Sequence, residues 1–259
     1  MTSVRIAAII PARMASSRFP GKPLLEVRGL PMIEHVRRRA LRCRRFAEVV
    51  VATCDREIAQ VVERAGGRCL MTSAHHPGAI DRVCEAMRHL DCTHVVNVQG
   101  DEILVLPEDL DRMAAAMEAE PEVPVWNAVA GLERAEELSD PSVVKCVVSR
   151  GERILLCSRD FSRLAPGLGT DLEPIRRVLG ILGYRRDFLA RFVTLPRTPL
   201  EVAEGIDQSR ILEHDVPLRS VPFRRGYPGI NEPREVAVVQ DCLEDDPMQQ
   251  AVLEGILAS

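Results

Sequence analysis

The sequence predicts an α/β protein with a mostly parallel, doubly wound central sheet and helices on both faces. Three observations lead there. Residues 4–10 (V-R-I-A-A-I-I) are almost continuously apolar, as in a strand buried on both faces of a parallel sheet. Strand-like and helix-like segments then alternate with short connections. Polar, glycine-containing segments follow two of the strands directly, where such sheets place their ligands.

Taken in order, Pro31 suits a first helical position, and Met32, Ile33, Val36, Ala40 and Leu41 recur at helical spacing. Residues 48–53 (E-V-V-V-A-T) form the second strand, and Asp55 can cap a helix over 56–65 that ends at Gly66-Gly67. Residues 68–71 are short and extended. A helix from about Ala79 places Ile80, Val83, Met87 and Leu90 on one face, and strand 94–98 leads into Gln99-Gly100-Asp101-Glu102. Helix 107–119 and strand 123–130, with the single tryptophan Trp126, come next. Residues 143–148 and 153–157 form a hairpin around Arg150-Gly151, and 160–176 is a polar loop broken by Pro and Gly. Strand 179–184, helices 186–195 and 199–214, strand 217–223 and two closing helices complete the chain. Without a clear linker or internal repeat, residues 1–259 are expected to form one domain.

Composition narrows the function. The 259 residues suffice for a sizeable core, and 46% hydrophobic with 28% charged residues describes a globular, soluble class. A net charge of −4 argues against a nucleic-acid partner, and 3% aromatic content weakens base stacking. Eight cysteines lack any C-x-x-C pair, which predicts free thiols in a reducing compartment and no zinc site. No leader and no apolar stretch near the roughly 20 residues of a membrane helix are visible, so the expected location is cytoplasmic, with no membrane partner. Only two of the 34 basic residues are lysine, Lys22 and Lys145. Where arginine serves nearly everywhere else, these two mark positions needing a compact ammonium, or they are chance.

The chemistry concentrates in residues 9–25 (I-I-P-A-R-M-A-S-S-R-F-P-G-K-P-L-L). Small residues after a buried strand can turn backbone N–H groups inward, and Arg13, Arg18 and Lys22 add charge, as a polyphosphate cradle requires. The plain alternative is solvated cations beside an ordinary turn. The loop has neither the G-K-[ST] ending of a P-loop nor a G-x-G-x-x-G fingerprint. Asp101, at a strand end, can hold Mg²⁺ or merely close a turn. His75, His76 and Asp81 are not expected to bind metal, because adjacent histidines in regular structure cannot face one ion.

The chain resembles the CMP-Kdo synthetases (3-deoxy-manno-octulosonate cytidylyltransferases). P-A-R-M-A-S-S-R-F-P-G-K-P-L matches their signature loop, and the likeness continues through P-M-I-E-H-V, V-V-V-A-T, A-G-G-R-C-L-M-T, V-N-V-Q-G-D-E, D-P-S-V-V-K, C-S-R, L-G-I-L-G-Y-R and T-P-L-E-V-A-E. The resemblance implies a Rossmann-like nucleotide-diphospho-sugar transferase fold, a homodimer, and Mg²⁺-dependent transfer of CMP from CTP to an acidic sugar. About 1–130 would be the nucleotide-binding half and about 131–259 the acceptor-binding and dimerisation half. Arg13, Lys22 and Asp101 would be catalytic. Pro11, Ala12, Ser17, Arg18, Thr72 and Gln99 would join them around the nucleotide, with Arg82, Arg159, Tyr184, Asp207 and Gln208 around the acceptor.

The departures fall on the acceptor side. The family's S-G-T is Gly78-Ala79-Ile80, its H-L-G-I-Y-G-Y-R has Val178 and Leu182 for the His and first Tyr, and its E-Q is Asp207-Gln208. Its late G-V-D-T-P is Gly229-Ile230-Asn231-Glu232-Pro233, so a metal-binding aspartate has become Asn231, either a weak ligand or a helix N-cap. Losing polar partners should cost recognition of a sugar acid. The expectation is therefore a small acidic acceptor, such as phosphonoformate. Kdo or amino-Kdo, and a nucleotide-binding regulator without turnover, are the alternatives.

Overall fold

The computed structural model describes residues 3–16, 18–164, 167 and 172–258. They form two compact units, Met1–Ala115 with Tyr227–Ser259, and Ala116–Gly226.

The first unit is built on a four-stranded parallel sheet. Its strands β1 (Ile6–Ala12), β4 (Phe46–Thr53), β5 (Arg68–Met71) and β6 (His94–Val98) lie in the order β6-β1-β4-β5, and a small antiparallel pair, β2 (Glu26–Val27) and β3 (Leu30–Pro31), stands apart. All seven residues of β1 are buried, as the apolar run demanded, although the strand extends through Pro11. A proline is tolerated there because pairing with β6 stops at Ile9↔Asn97, so no ladder donor is needed on that side. Helices α1 (Met32–Leu41), α2 (Arg56–Arg64), α3 (Ala79–Met87) and α4 (Pro107–Ala119) follow the expected apolar spacing. One local expectation fails: the Asp55 side chain makes no cap bond at α2. Its carboxylate accepts the Met14 N–H at 2.8 Å instead.

The second unit carries a mixed sheet, β11-β7-β10 with β8 and β9 continuing from β10. Its strands are β7 (Val125–Gly131), β8 (Lys145–Val148), β9 (Ile154–Ser158), β10 (Ile175–Arg185) and β11 (Leu218–Pro222). β11 runs parallel to β7, and the other pairings are antiparallel. The hairpin predicted around Arg150-Gly151 is β8–β9. β10 begins earlier than the sequence suggested and is interrupted between Val178 and Leu182. The buried Asn127 amide fills that interruption, donating to the carbonyls of Leu179 (2.9 Å) and Ile181 (3.3 Å). Within the loop predicted over 160–176, residues 165, 166 and 168–171 lie outside the described residues.

After α5 (Arg186–Phe192), the helix predicted over 199–214 is two helices, α6 (Pro199–Glu204) and α7 (Asp207–Glu213). Gly205 ends the first in a left-handed conformation (φ 64°), which stops the helix. Glu201, fully buried, joins the two by accepting from Arg210 Nε at 2.7 Å and Nη2 at 2.5 Å, with Arg197 adding a third bond at 3.1 Å. The chain then returns to the first unit as α8 (Glu235–Asp245) and α9 (Pro247–Leu257). Ile230, just before α8, packs in a core cluster with Met32, Ile103, Val239 and Ile256. Among the described residues, no helix is long and apolar enough to cross a membrane.

Burial raises the Glu201 pKa, but the bonds from Arg210, Arg197 and the Thr198 amide outweigh it and hold the carboxyl below its usual range. Its stabilising effect is therefore present above the ordinary carboxylate pKa and is lost as pH falls through the lowered one. Glu201→Ala, which strands a buried arginine, is expected to cost roughly 3–5 kcal/mol in denaturant unfolding. A loss below about 1 kcal/mol would contradict the buried pair as the clamp between α6 and α7.

Candidate functional site

At the carboxyl end of β1 the chain curls around one residue, Met14. The Met14 N–H is held by Asp55, and the Met14 carbonyl accepts from the amides of both Ser16 and Gly21 at 2.9 Å. The Phe19 amide turns to the Ser16 hydroxyl at 3.4 Å. Four of the amides that a phosphate cradle might have offered are thus used internally. The loop also presents charged side chains.

Those side chains line an open pocket of about 230 Å³. Pro11 and Ala12 come from β1, Arg13, Arg18 and Lys22 from the loop, and Gln99 and Asp101 from the turn after β6. Seven of the sequence-predicted positions therefore meet in the first unit; Ser17 lies outside the described residues. The Lys22 ammonium donates to Asp101 Oδ2 at 3.2 Å and to the Ile230 carbonyl at 2.8 Å. Arg18 donates to Asn231 Oδ1 at 3.0 Å. Among the described residues, Arg13 has no carboxylate within ion-pair distance, so its charge faces the pocket uncompensated.

Asn231 is not the N-cap of the following helix. That position is Arg234, and the amides of Asn231 and Glu232 both donate to the Glu235 carboxylate in the first turn of α8, which fixes the approach to the helix. The described residues contain no group of three or more His, Cys, Asp or Glu placed to hold a metal. What the pocket lining offers a cation is one carboxylate, Asp101, while the Asn231 amide oxygen, outside that lining, accepts from Arg18. A single carboxylate fits Mg²⁺, which takes one or two protein carboxylates and completes its shell with phosphate oxygens and water. His76 instead meets Glu85, which also accepts the Ser73 amide at 2.9 Å, and Asp81 accepts the Gly78 amide at 3.1 Å.

A smaller pocket of about 90 Å³ adjoins the end of β1, with Arg13, Gly78, Ala79 and Arg82 in its wall. Arg82 is only 2% exposed, yet no described carboxylate lies within ion-pair distance. Its guanidinium donates to the Thr72 hydroxyl and, at 3.4 Å, to the Cys54 sulfur. The Glu85 carboxylate acts on it electrostatically without a direct ion pair, and an anion joining the guanidinium would offset the cost of its burial. Thr72, expected at the nucleotide, is thus a partner of Arg82.

The remaining predicted acceptor residues lie in the second unit. Arg159 spends its guanidinium on backbone, donating to the carbonyls of Glu204 (2.8 Å) and Pro141 (2.7 Å). Tyr184 is 3% exposed and stacks on Phe188 and Phe192, and burial pushes its phenol pKa up. Asp207 opens α7, and Gln208 donates to Asn127 Oδ1 at 2.8 Å. Lys145 is fully buried and donates to the carbonyls of Asp140, Val143 and Arg159; burial lowers its pKa.

The sequence reading missed Gly229 and misassigned Asp55. A Cβ on Gly229 would lie 2.7 Å from the Asp101 carbonyl, so only glycine lets residues 229–231 approach the Asp101 turn this closely. The signal was the glycine-rich G-Y-P-G-I-N run, although its partner is far away in sequence. Gly229→Ala is expected to push this segment off Asp101 and Lys22 and to weaken CTP binding about tenfold by calorimetry. Unchanged affinity would mean that the close approach does not shape the pocket.

With this geometry in hand, comparison with known proteins is specific. The family profile for cytidylyltransferases matches residues 7–218. The 3-deoxy-manno-octulosonate cytidylyltransferase of Myxococcus xanthus is 41% identical over 93% of this chain and 97% of its own length. That of Nitratidesulfovibrio vulgaris (strain Hildenborough) is 39% identical over 92% and 96%, and one from Escherichia coli 36% over 94% and 98%. A solved CMP:2-keto-3-deoxy-manno-octonic acid synthetase complexed with CTP superposes with a TM-score of 0.86 at 34% identity, covering 93% of this chain and 99% of that one. A chain matched along nearly its whole length by such enzymes shares their mostly parallel, Rossmann-like α/β fold and their reaction class, and it belongs to the CMP-Kdo synthetase family of cytidylyltransferases.

Proposed function

We propose that the protein transfers CMP from CTP to a small acid whose attacking oxygen is already anionic, a phosphonate such as phosphonoformate, and releases pyrophosphate. The observation that carries this reading is the charge inventory of the first unit. Arg13, Arg18 and Lys22 line one pocket with a single carboxylate, Asp101, and Arg82 is buried beside it with no described carboxylate within ion-pair distance.

Each group has a task. Arg13, Arg18 and Lys22 neutralise the charge that builds on the leaving pyrophosphate, so catalysis is chiefly positioning and electrostatics. Asp101 would hold Mg²⁺, with Asn231 a weaker second oxygen; when bound, the ion supplies further neutralisation of the phosphates. Gln99, at the pocket wall, is assigned to the cytosine side. The acceptor oxygen forms a bond to the α-phosphorus while the bond from that phosphorus to the bridging oxygen breaks, and the electron pair leaves with pyrophosphate. No proton moves if the acceptor arrives ionised. One carboxylate and a neutral amide suit that chemistry better than activation of a sugar hydroxyl. Arg82 supplies the fork that an acidic group prefers.

The names of the relatives favour a second reading, Kdo or amino-Kdo as acceptor. Against it stand the positions where that family's pattern carries side-chain donors and this chain has Gly78, Ile80, Val178 and Leu182. By likeness to the family, the protein is proposed to act as a cytoplasmic homodimer.

The test is pyrophosphate release from CTP and Mg²⁺ with phosphonoformate, other small phosphonates, Kdo, amino-Kdo and sialic-type acids. Turnover with a phosphonate and little with Kdo is expected. Robust turnover with Kdo alone would overturn the acceptor assignment, and CTP binding without pyrophosphate from any acid would overturn the enzyme reading in favour of a nucleotide-binding regulator.

A further inference from the structure

Asp55 and Cys54 stand at the end of β4, outside the residues assigned to ligand binding, yet they connect two of them. Asp55 Oδ2 accepts the Met14 amide at 2.8 Å and the Cys54 thiol at 3.6 Å. The same sulfur accepts from Arg82 Nη2 at 3.4 Å, and Arg82 Nη1 donates to the Thr72 hydroxyl. A continuous run of hydrogen bonds therefore joins the backbone of the cationic loop to the buried guanidinium of α3.

The order of donors gives this run a direction. The thiol accepts from a cation on one side and donates to a carboxylate on the other. Each bond polarises the next, so the two reinforce one another. A thiol is a weak donor and acceptor, unable to neutralise Arg82 as a carboxylate would. It holds the guanidinium in place and leaves its charge for a ligand. Asp55 has the stronger task of fixing the residue around which the loop curls, because the Met14 carbonyl that receives Ser16 and Gly21 belongs to the residue whose amide it holds.

We propose that Asp55 and Cys54 are positioning residues that make the seating of the cationic loop and the seating of Arg82 depend on one another. The consequence is coupling between the triphosphate site and the acid site. An anion that draws on Arg82 shifts the Cys54–Asp55 contact, and through it the Met14 peptide. The coupling to an acceptor rests on the reading of Arg82 given above, whereas the mechanical link between loop and guanidinium does not.

Hydrogen exchange followed by mass spectrometry on the full-length protein tests the link. Cys54→Ala is expected to speed exchange at the Met14 amide about fivefold, and Arg82→Leu to do the same from the far end of the run. Peptides from α4 and from the second unit should keep their wild-type rates. Cys54→Ser, which keeps a donor and an acceptor, should restore the Met14 rate and CTP affinity to within about twofold of wild type. A merely structural role for Cys54 would speed exchange broadly and lower the melting temperature without sparing those distant peptides. Unchanged Met14 exchange in both Cys54→Ala and Arg82→Leu, or failure of serine to rescue, overturns the proposal. These readouts need no acceptor. If no acid is turned over, the proposed reaction fails while the exchange data still decide the link.

Discussion

The contact on which the candidate site depends is the Lys22 ammonium, set between the Asp101 carboxylate and the Ile230 carbonyl. It ties together the loop after β1, the turn after β6, and the segment before α8, three stretches widely separated in sequence. A compact group with three rotatable donors can serve partners in different directions. The arrangement also keeps the one available carboxylate beside the cations that surround it. Gly229 completes the junction by allowing two backbones to approach where a side chain would intervene.

The two lysines illustrate how one residue type serves two purposes in this arginine-rich chain. Lys22 is partly open and faces the pocket that Arg13 and Arg18 also line. Lys145 is wholly enclosed and bonds only to carbonyl oxygens, including that of Arg159, so it organises the ends of β8 and β9. A planar guanidinium would project its donors in one plane and suit neither place. The neutral partners are equally informative. Asn231 meets Arg18, and Cys54 meets Arg82, so neither guanidinium is cancelled by a carboxylate at that contact. The protein thus retains positive charge at both places.

Local regularities made much of this legible in the sequence. The buried strand β1, the alternation of strand and helix, and the loop carrying Arg13, Arg18 and Lys22 all follow from short-range patterns. The failures share a cause, since each depends on a partner distant in the chain. Asp55 looked like a helix cap because its neighbours are helical, whereas its partner is the amide of Met14. Asn231 could be read as a helix N-cap, whereas that position is Arg234 and the Asn231 oxygen accepts from Arg18. The helix predicted through Gly205 broke because that glycine adopts a left-handed backbone, which apolar spacing alone does not reveal.

The central claim is that the first unit grips the triphosphate through side chains, with Lys22 and Asp101 at the centre. A crystal structure of the protein with CTP and Mg²⁺ examines it most directly. The β- and γ-phosphates are predicted to lie within hydrogen-bond reach of Arg13, Arg18 and Lys22, with Asp101 on the ion. A triphosphate bound away from Lys22, or held chiefly by the amides of the loop, would contradict the account.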